Sequence, residues 1–591
     1  MKMQKKNSLK KSNRHDNSVK KFSLALLILA GNSGYELLQK NLKDALPAYS
    51  TLQKLMSTKK RMVEGTFYFT EFLAHLNEWK APKFVHVQLD DTRIINEVSY
   101  DAYTDRFVGF ILPLKNGLPV EDTFVLNTFA EIEDAYVKNK SSVAKYAHCI
   151  VVQSIAVEVP SFVLAVIGTD SKYDNTVVSK RWEHIDNELK KLGIVVISNG
   201  SDGAGPFLKS MLTETKLFNI STNSNVPTSW SFFVMPSMKK SSLCAQDHVH
   251  LLAKLRSRLL GPSNLIVLGA ETACSGHLTH VCQNIPKESH GLTKKVLDNK
   301  DKQNYSSISI LVSDDLKKCL FESKNIIRPT GTIIYLQLMR NIRDAFFEKG
   351  IKPIQRVSLL WKVVFFVRIW RCWLSENGYS EIDHFITTNA YTCIELNGHL
   401  LLNILFNVIN GTFPKEVLRL WLTGSQSCEQ LFRLLRSMTP VFSTIVNFSL
   451  KRLLERIHRL SHISSLECTE DVIFPRLQRR LLHLNEETKD TFEVPTLSDI
   501  ETAIRASKTD AISLASECSM QLDNFEDSYL VKDTTELVSN AIEYDFEEKE
   551  ITLHEEEPTE TAENNCIDST TSIEINEDLA ILKLSHHFHH T

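Results

Sequence analysis

Between Pro82 and Gly168 the apolar residues fall in short runs, many spaced at two, and each run closes on a turn signal. Phe84–Leu89 ends in Asp90-Asp91. Arg106–Leu112 ends at Pro113, ahead of a turn at Asn116-Gly117, and Cys149–Ala156 and Phe162–Gly168 follow. Runs of this length and period read as strands, so three or four strands precede any long helix. A helix is then expected over Asn175–Leu192, a strand over Gly193–Ser198 closing on Asn199-Gly-Ser-Asp202-Gly, a helix from Gly205 and a short strand at Ser231–Met235. Strands first, then alternation with helices, is an α/β pattern: a mixed sheet covered by helices.

Two of these strands end in or just before an acid, Asp90 and Asp202, and strand ends hold side chains rigidly. A third acid stands apart. In Leu422–Ser437, LTGSQSCEQLFRLLRS, helical spacing places Glu429, Phe432, Leu435 and Arg436 on or near one face. A carboxylate facing a core is costly unless a cation or hydrogen bonds compensate it. A divalent metal shared with Asp90 and Asp202 would do so.

The 591 residues, 43% hydrophobic, suffice for several domains with a large core. The net charge of −3 hides a polarity, because residues 1–21 hold eight Lys/Arg against Asp16 and residues 541–560 hold nine Asp/Glu against Lys549. A basic disordered tail is expected over 1–21, with clusters suited to nuclear import or phosphate binding. A helical preface follows over 22–79, with helices Phe22–Leu46, Ser50–Met62 and one near Thr70–Trp79. The sheet occupies 80–260. Residues 261–415 read as helical, through Arg340–Lys349, Pro353–Leu374 and Thr388–Ile409, and form an insertion if Glu429 belongs with the two aspartates. The closing helix and a helical extension fill 416–482. Falling apolar content makes 483–591 an acidic, mostly disordered tail with short helices near Ser498–Ala506 and Asp533–Ile542. Helix Asp247–Leu260 carries Lys254, Arg256 and Arg258, read as an exposed basic face or a phosphate contact.

Eleven cysteines without a CxxC pair give neither a disulfide framework nor a zinc ribbon, and suit a reducing compartment. The Cys274/His277/His280/Cys282 cluster has no standard zinc spacing. Lys20-Lys21 with FSLALLILAG lacks the cleavage site of a signal peptide. Lys362, Arg368 and Arg371 interrupt LLWKVVFFVRIWRCWL well short of the roughly 18 residues a membrane span needs. It reads as a buried helix, and no membrane partner is expected.

Five blocks, DDTRIINEVSYDAYTDRFVGF, SKRWEHIDNELKKLGIVVISNGSDGAGPFLKSM, DHVHLLAKLRSRLL, FITTNAYTCIELNGHLLL and SQSCEQLFRLLRSM, together resemble the catalytic region of P-element-type transposases, a family that includes THAP-domain transposases. The resemblance spans roughly residues 22–465. It implies an RNase H-like fold interrupted by a helical insertion, a nuclear DNA-binding protein able to self-associate, and an Asp/Asp/Glu triad at Asp90, Asp202 and Glu429. Asp91 is the rival of Asp90, and Glu395 is the alternative third acid. Asp247 and His250 match a DxxH block with a structural or metal-supporting role, and Gln426 and Arg436 flank Glu429. Such a triad holds two Mg²⁺ or Mn²⁺ ions for phosphodiester hydrolysis and strand transfer. GTP would follow from the family, yet residues 261–415 contain no GxxxxGK[ST] loop, only Gly261-Pro-Ser and Gly269. No Cys/His-spaced THAP finger precedes the helices. An active transposase therefore competes with a catalytically inactive or host-adapted derivative that binds DNA or protein, and with a helical scaffold in which the three acids are incidental.

Overall fold

The computed structural model describes residues 15–534, apart from 43, 127, 140–141, 219–225, 228, 237–242, 262–264, 300–304, 324–327, 439–447, 468–492 and 532–533. Its first helix, α1 (Asn17–Asn41), starts inside the stretch expected to be a tail and bends at Gly31, whose φ of 73° only glycine adopts readily. Helices α2 (Tyr49–Met56) and α3 (Phe69–Glu78) complete the preface. The apolar side of α1, Leu24, Leu27, Ile28 and Tyr35, belongs to the same buried cluster as Cys149, Val151 and Val166 of the sheet.

Five strands make that sheet: β1 (Phe84–Arg93), β2 (Tyr146–Ser154), β3 (Phe162–Thr169), β4 (Val195–Ser201) and β5 (Leu243–Gln246). Their spatial order is β3-β2-β1-β4-β5. β1, β2 and β3 pair antiparallel, whereas β4 and β5 join parallel to β1. Parallel neighbours need crossovers, and α4 (Asn175–Lys191) and α5 (Gly205–Thr215) supply helices for them. The strand expected at Ser231–Met235 does not form. Its aromatics are buried instead against the insertion, Phe232 meeting Trp361 and Phe365 and Phe233 meeting His399. The edge is taken by Leu243–Gln246, too short to show a period.

After α6 (His248–Leu260) the chain enters the insertion, which opens with a small hairpin, Ile266–Leu268 with Glu271–Ala273, before its helices. Its core is α7 (Thr330–Phe347), α8 (Pro353–Glu376) and α9 (Thr388–Ile409). α9 is long and apolar enough to cross a membrane, but 94% of its most apolar window is buried in the protein. Asn397 on α9 bonds both backbone groups of Gln246, N–H to Oδ1 and Nδ2 to O, each at 3.2 Å, and so covers the open edge of β5. The chain returns through α10 (Gln426–Ser437) and α11 (Leu450–Glu467). Part of the region expected to be disordered is helical: α12 (Leu497–Glu517) buries Ile500, Ile504 and Ala511 and bonds α8 through Ser507 Oγ to Ser358 O at 3.2 Å. The helix expected at Asp533–Ile542 and the rest of the tail lie outside the described residues.

Candidate active site

Strand register decides what gathers at one edge of the sheet. Leu89 on β1 lies opposite Ser201 on β4, and Ser201 lies opposite Gln246 on β5. One residue beyond each come Asp90, Asp202 and Asp247. Three aspartates thus stand in a row across three parallel strands, which sit about 4.8 Å apart.

The helix carrying Glu429 is pinned to this row from two sides. Gln88, two residues before Asp90 and so on the same face of β1, donates from Nε2 to Leu422 O at 3.0 Å and accepts from Ser427 N at 2.7 Å. Asp247 accepts with Oδ1 from Val249 N and His250 N, capping α6, and with Oδ2 from Ser425 N at 2.8 Å and Gln426 Nε2 at 2.8 Å, at the start of α10. The approach is close. A Cβ on Gly200 would strike the Gly424 carbonyl, and one on Gly424 would lie 2.9 Å from Asp247 Oδ2. Glu429, in the first turn of α10, then reaches His250 Nε2 at 3.3 Å.

The electrostatics separate these acids by role. Burial, then the charges of Asp202 and Glu429, push the Asp90 carboxyl well above its usual range. Asp90 is 6% exposed; Oδ1 accepts from Asp91 N, and the buried Oδ2 has no hydrogen-bond partner. Asp202 Oδ1 accepts from Ala204 N at 3.1 Å. Burial alone would strip the proton from His250, but Glu429, Asp247, Asp202 and Asp90 outweigh it and raise its pKa to about 10. Asp247 is depressed despite its burial, because His250, Gln426 and Ser425 stabilise its charge. Its oxygens are committed to holding helices, whereas Asp90 keeps one oxygen free.

The alternatives sit elsewhere. Asp91 points away from the row and accepts from His148 Nδ1 at 2.6 Å, Ser171 Oγ at 2.8 Å and Tyr173 OH at 2.9 Å. Glu395 is sealed in the insertion, both carboxylate oxygens bonded to Arg368 at 2.7 Å with neither side chain exposed. The basic residues of α6 do not form an exposed face: Lys254 bonds Gly203 O and Asn389, Arg256 bonds Val296 O and Asp298 O, and Arg258 bonds Ile382 O and Phe385 O. They tie the sheet to the insertion. Arg436 donates to Thr92 Oγ1 at 2.8 Å, beside the row. His277 bonds Thr332 Oγ1. Among the described residues no three His, Cys, Asp or Glu side chains are drawn together as metal ligands, at Cys274–Cys282 or at the acid row.

Two contributors were not singled out from the sequence. Gln88 is a polar residue at i−2 from Asp90 inside an apolar run, and that spacing is its signal. Asn389, which steadies the loop after Asp202 by donating to Gly203 O at 2.8 Å, carries none.

No protein-family model matches the chain. No curated protein matches it either. Among solved structures, the Drosophila P element transposase strand transfer complex matches with a TM-score of 0.53 and 14% sequence identity, over 79% of this chain and 95% of that one. The fold is therefore like that of a P element transposase.

Proposed function

We propose that this chain is a DNA transposase-like protein with an RNase H-like catalytic domain, in which Asp90, Asp202 and Glu429 hold Mg²⁺ or Mn²⁺ for phosphodiester hydrolysis and strand transfer. The observation that carries the reading is Asp90: a buried carboxyl with one unpartnered oxygen, raised by that burial and then by the charges of Asp202 and Glu429, which come from one strand end and one helix distant in sequence. Such a group calls for a cation. The hard oxygens of the three acids suit Mg²⁺ or Mn²⁺ and not zinc. Bound there, the ions would activate a water or a 3′-hydroxyl and stabilise the leaving oxygen.

The protein's own share is positional. Gln88 and Asp247 fix the first turn of α10 and so present Glu429 to the row. His250 holds a proton at the edge of the acid cluster and balances part of its charge. No residue of 261–415 is assigned to GTP.

A second reading, a derivative that binds DNA without cutting it, is favoured by one feature: Glu429 pairs with His250, and among the described residues the acids are not drawn together as metal ligands. Nicking of supercoiled plasmid in Mn²⁺ separates the two. The first reading expects nicking by the wild type and a loss of at least about 100-fold in Asp90→Asn, Asp202→Asn and Glu429→Gln. Nicking unchanged by all three would overturn the site, and DNA binding with no nicking would favour the second reading.

A further inference from the structure

Two clefts outside the acid row share a wall on α11. One, of about 190 Å³, is lined by Met438, Arg452, Glu455, Arg456 and Arg459. The other, of about 330 Å³, continues from Glu455 and Arg459 to Lys59, Arg61 and Tyr103 on the preface side. Arg452 and Arg459, seven residues and so about two turns apart, stand on one side of α11 and are exposed. Glu455 is the one acid lining either cleft among the described residues. No carboxylate among the described residues pairs with Arg452 or Arg459, both of which are exposed. Arg456 turns inward, donating to Leu435 O on α10 at 2.7 Å and lying over Phe448. Arg61 lies over the Tyr103 ring at 4.9 Å.

That side of α11 is joined to the acid row through α10. Arg433 follows Glu429 by one turn and feels its charge. From Glu429 to Met438, which lines the first cleft, the helix rises roughly 14 Å, about four base-pair steps of B-DNA at 3.4 Å each. Two exposed, like-charged arginines two turns apart on one helix, with Glu455 the one acid lining the clefts among the described residues, suit a polyanion.

We propose that this groove on α11 binds the phosphate backbone of duplex DNA flanking the phosphodiester engaged at Asp90, Asp202 and Glu429, starting about four base pairs away. The assignment rests on the function proposed above. It makes Arg452 and Arg459 phosphate-contacting residues and leaves the chemistry to the acid row.

The test is fluorescence anisotropy of a labelled duplex with the full chain across a salt series, comparing wild type, Arg452→Ala/Arg459→Ala and Arg452→Lys/Arg459→Lys. The alanine variant should bind at least about tenfold more weakly, with a salt slope shallower by roughly 2, since each phosphate neutralised contributes about 0.9. The lysine variant should recover most of the slope. A wild type that binds while the alanine variant matches it in affinity and slope overturns the groove and leaves the acid site standing. No binding by the wild type at low salt overturns both. Tighter binding to single-stranded RNA or to anionic phosphatidylserine vesicles than to the duplex overturns the assignment to DNA. Groove-dependent binding without Mn²⁺-dependent nicking upholds the groove and overturns only the proposed reaction.

Discussion

Asp247 and Ser425, 178 residues apart, are joined by two hydrogen bonds to the same carboxylate oxygen, from Ser425 N at 2.8 Å and Ser425 Oγ at 3.1 Å. The whole helical insertion is looped out between them. Asp247 is thereby the clasp that brings the returning chain, and Glu429 with it, back onto the sheet edge.

Replacing Asp247 with Asn sets an amide N–H₂ or a lone oxygen against donors that now share a full carboxylate. A buried donor left without its acceptor costs about 1–3 kcal/mol. Hydrogen exchange should show the first-turn amides of α10, Ser427 to Glu429, exchanging faster by roughly that free energy, with β2 and β3 unaffected. Unchanged exchange at α10 would mean that the clasp is not what holds it.

His250 gives the site a pH signature. Its folded pKa of about 10 lies above the ordinary value of 6.5, so the folded state binds its proton more tightly than the unfolded state. The stability it contributes is fully present below about pH 6.5 and is lost as pH rises through about 10. Thermal unfolding across that window should show the decline, and Glu429→Gln should flatten it by removing the hydrogen-bonded partner. NMR titration of His250 in that variant should give a pKa shifted toward 6.5; one that stays near 10 would contradict the pairing.

Glu395 and Glu429 can be told apart by what their loss does. Removing one partner of a buried ion pair strands the other charge and costs about 3–5 kcal/mol, so Glu395→Gln should destabilise the insertion markedly and leave Mn²⁺ binding at the acid row intact. Glu429→Gln, at a site 29% exposed, should abolish Mn²⁺ binding at the acid row and leave the insertion intact, costing stability only through the lost His250 pair. Denaturant unfolding and Mn²⁺ titration on the same samples check both. Loss of Mn²⁺ binding in a folded Glu395→Gln protein would contradict the assignment.

The chain's strands were legible where alternation or a long apolar run persisted, as at Phe84–Leu89 and Phe162–Gly168, because period two survives burial on either face. β5 was not legible, being four residues long, and the aromatic stretch Ser231–Met235 imitated a strand while folding as a buried loop. The basic residues of α6 looked solvent-facing because arginine and lysine usually are. Their carbonyl partners lie far along the chain, in the insertion and, for Lys254, after β4. Likewise the prominence of Glu429 on a helix face could be read locally, but its pairing with His250 spans 179 residues and is set only by the Gln88 and Asp247 clasps. The apolar stripe of α12 was partly visible at Ser498–Ala506, yet its acidic surroundings masked the helix's full length.

The most direct measurement is anomalous diffraction from crystals of the wild type soaked in Mn²⁺. Manganese peaks are expected between Asp90, Asp202 and Glu429, two of them about 4 Å apart when DNA is also bound, with Glu429 drawn off His250. Crystals that take up manganese elsewhere, or none, while His250 keeps its contact with Glu429, would contradict it.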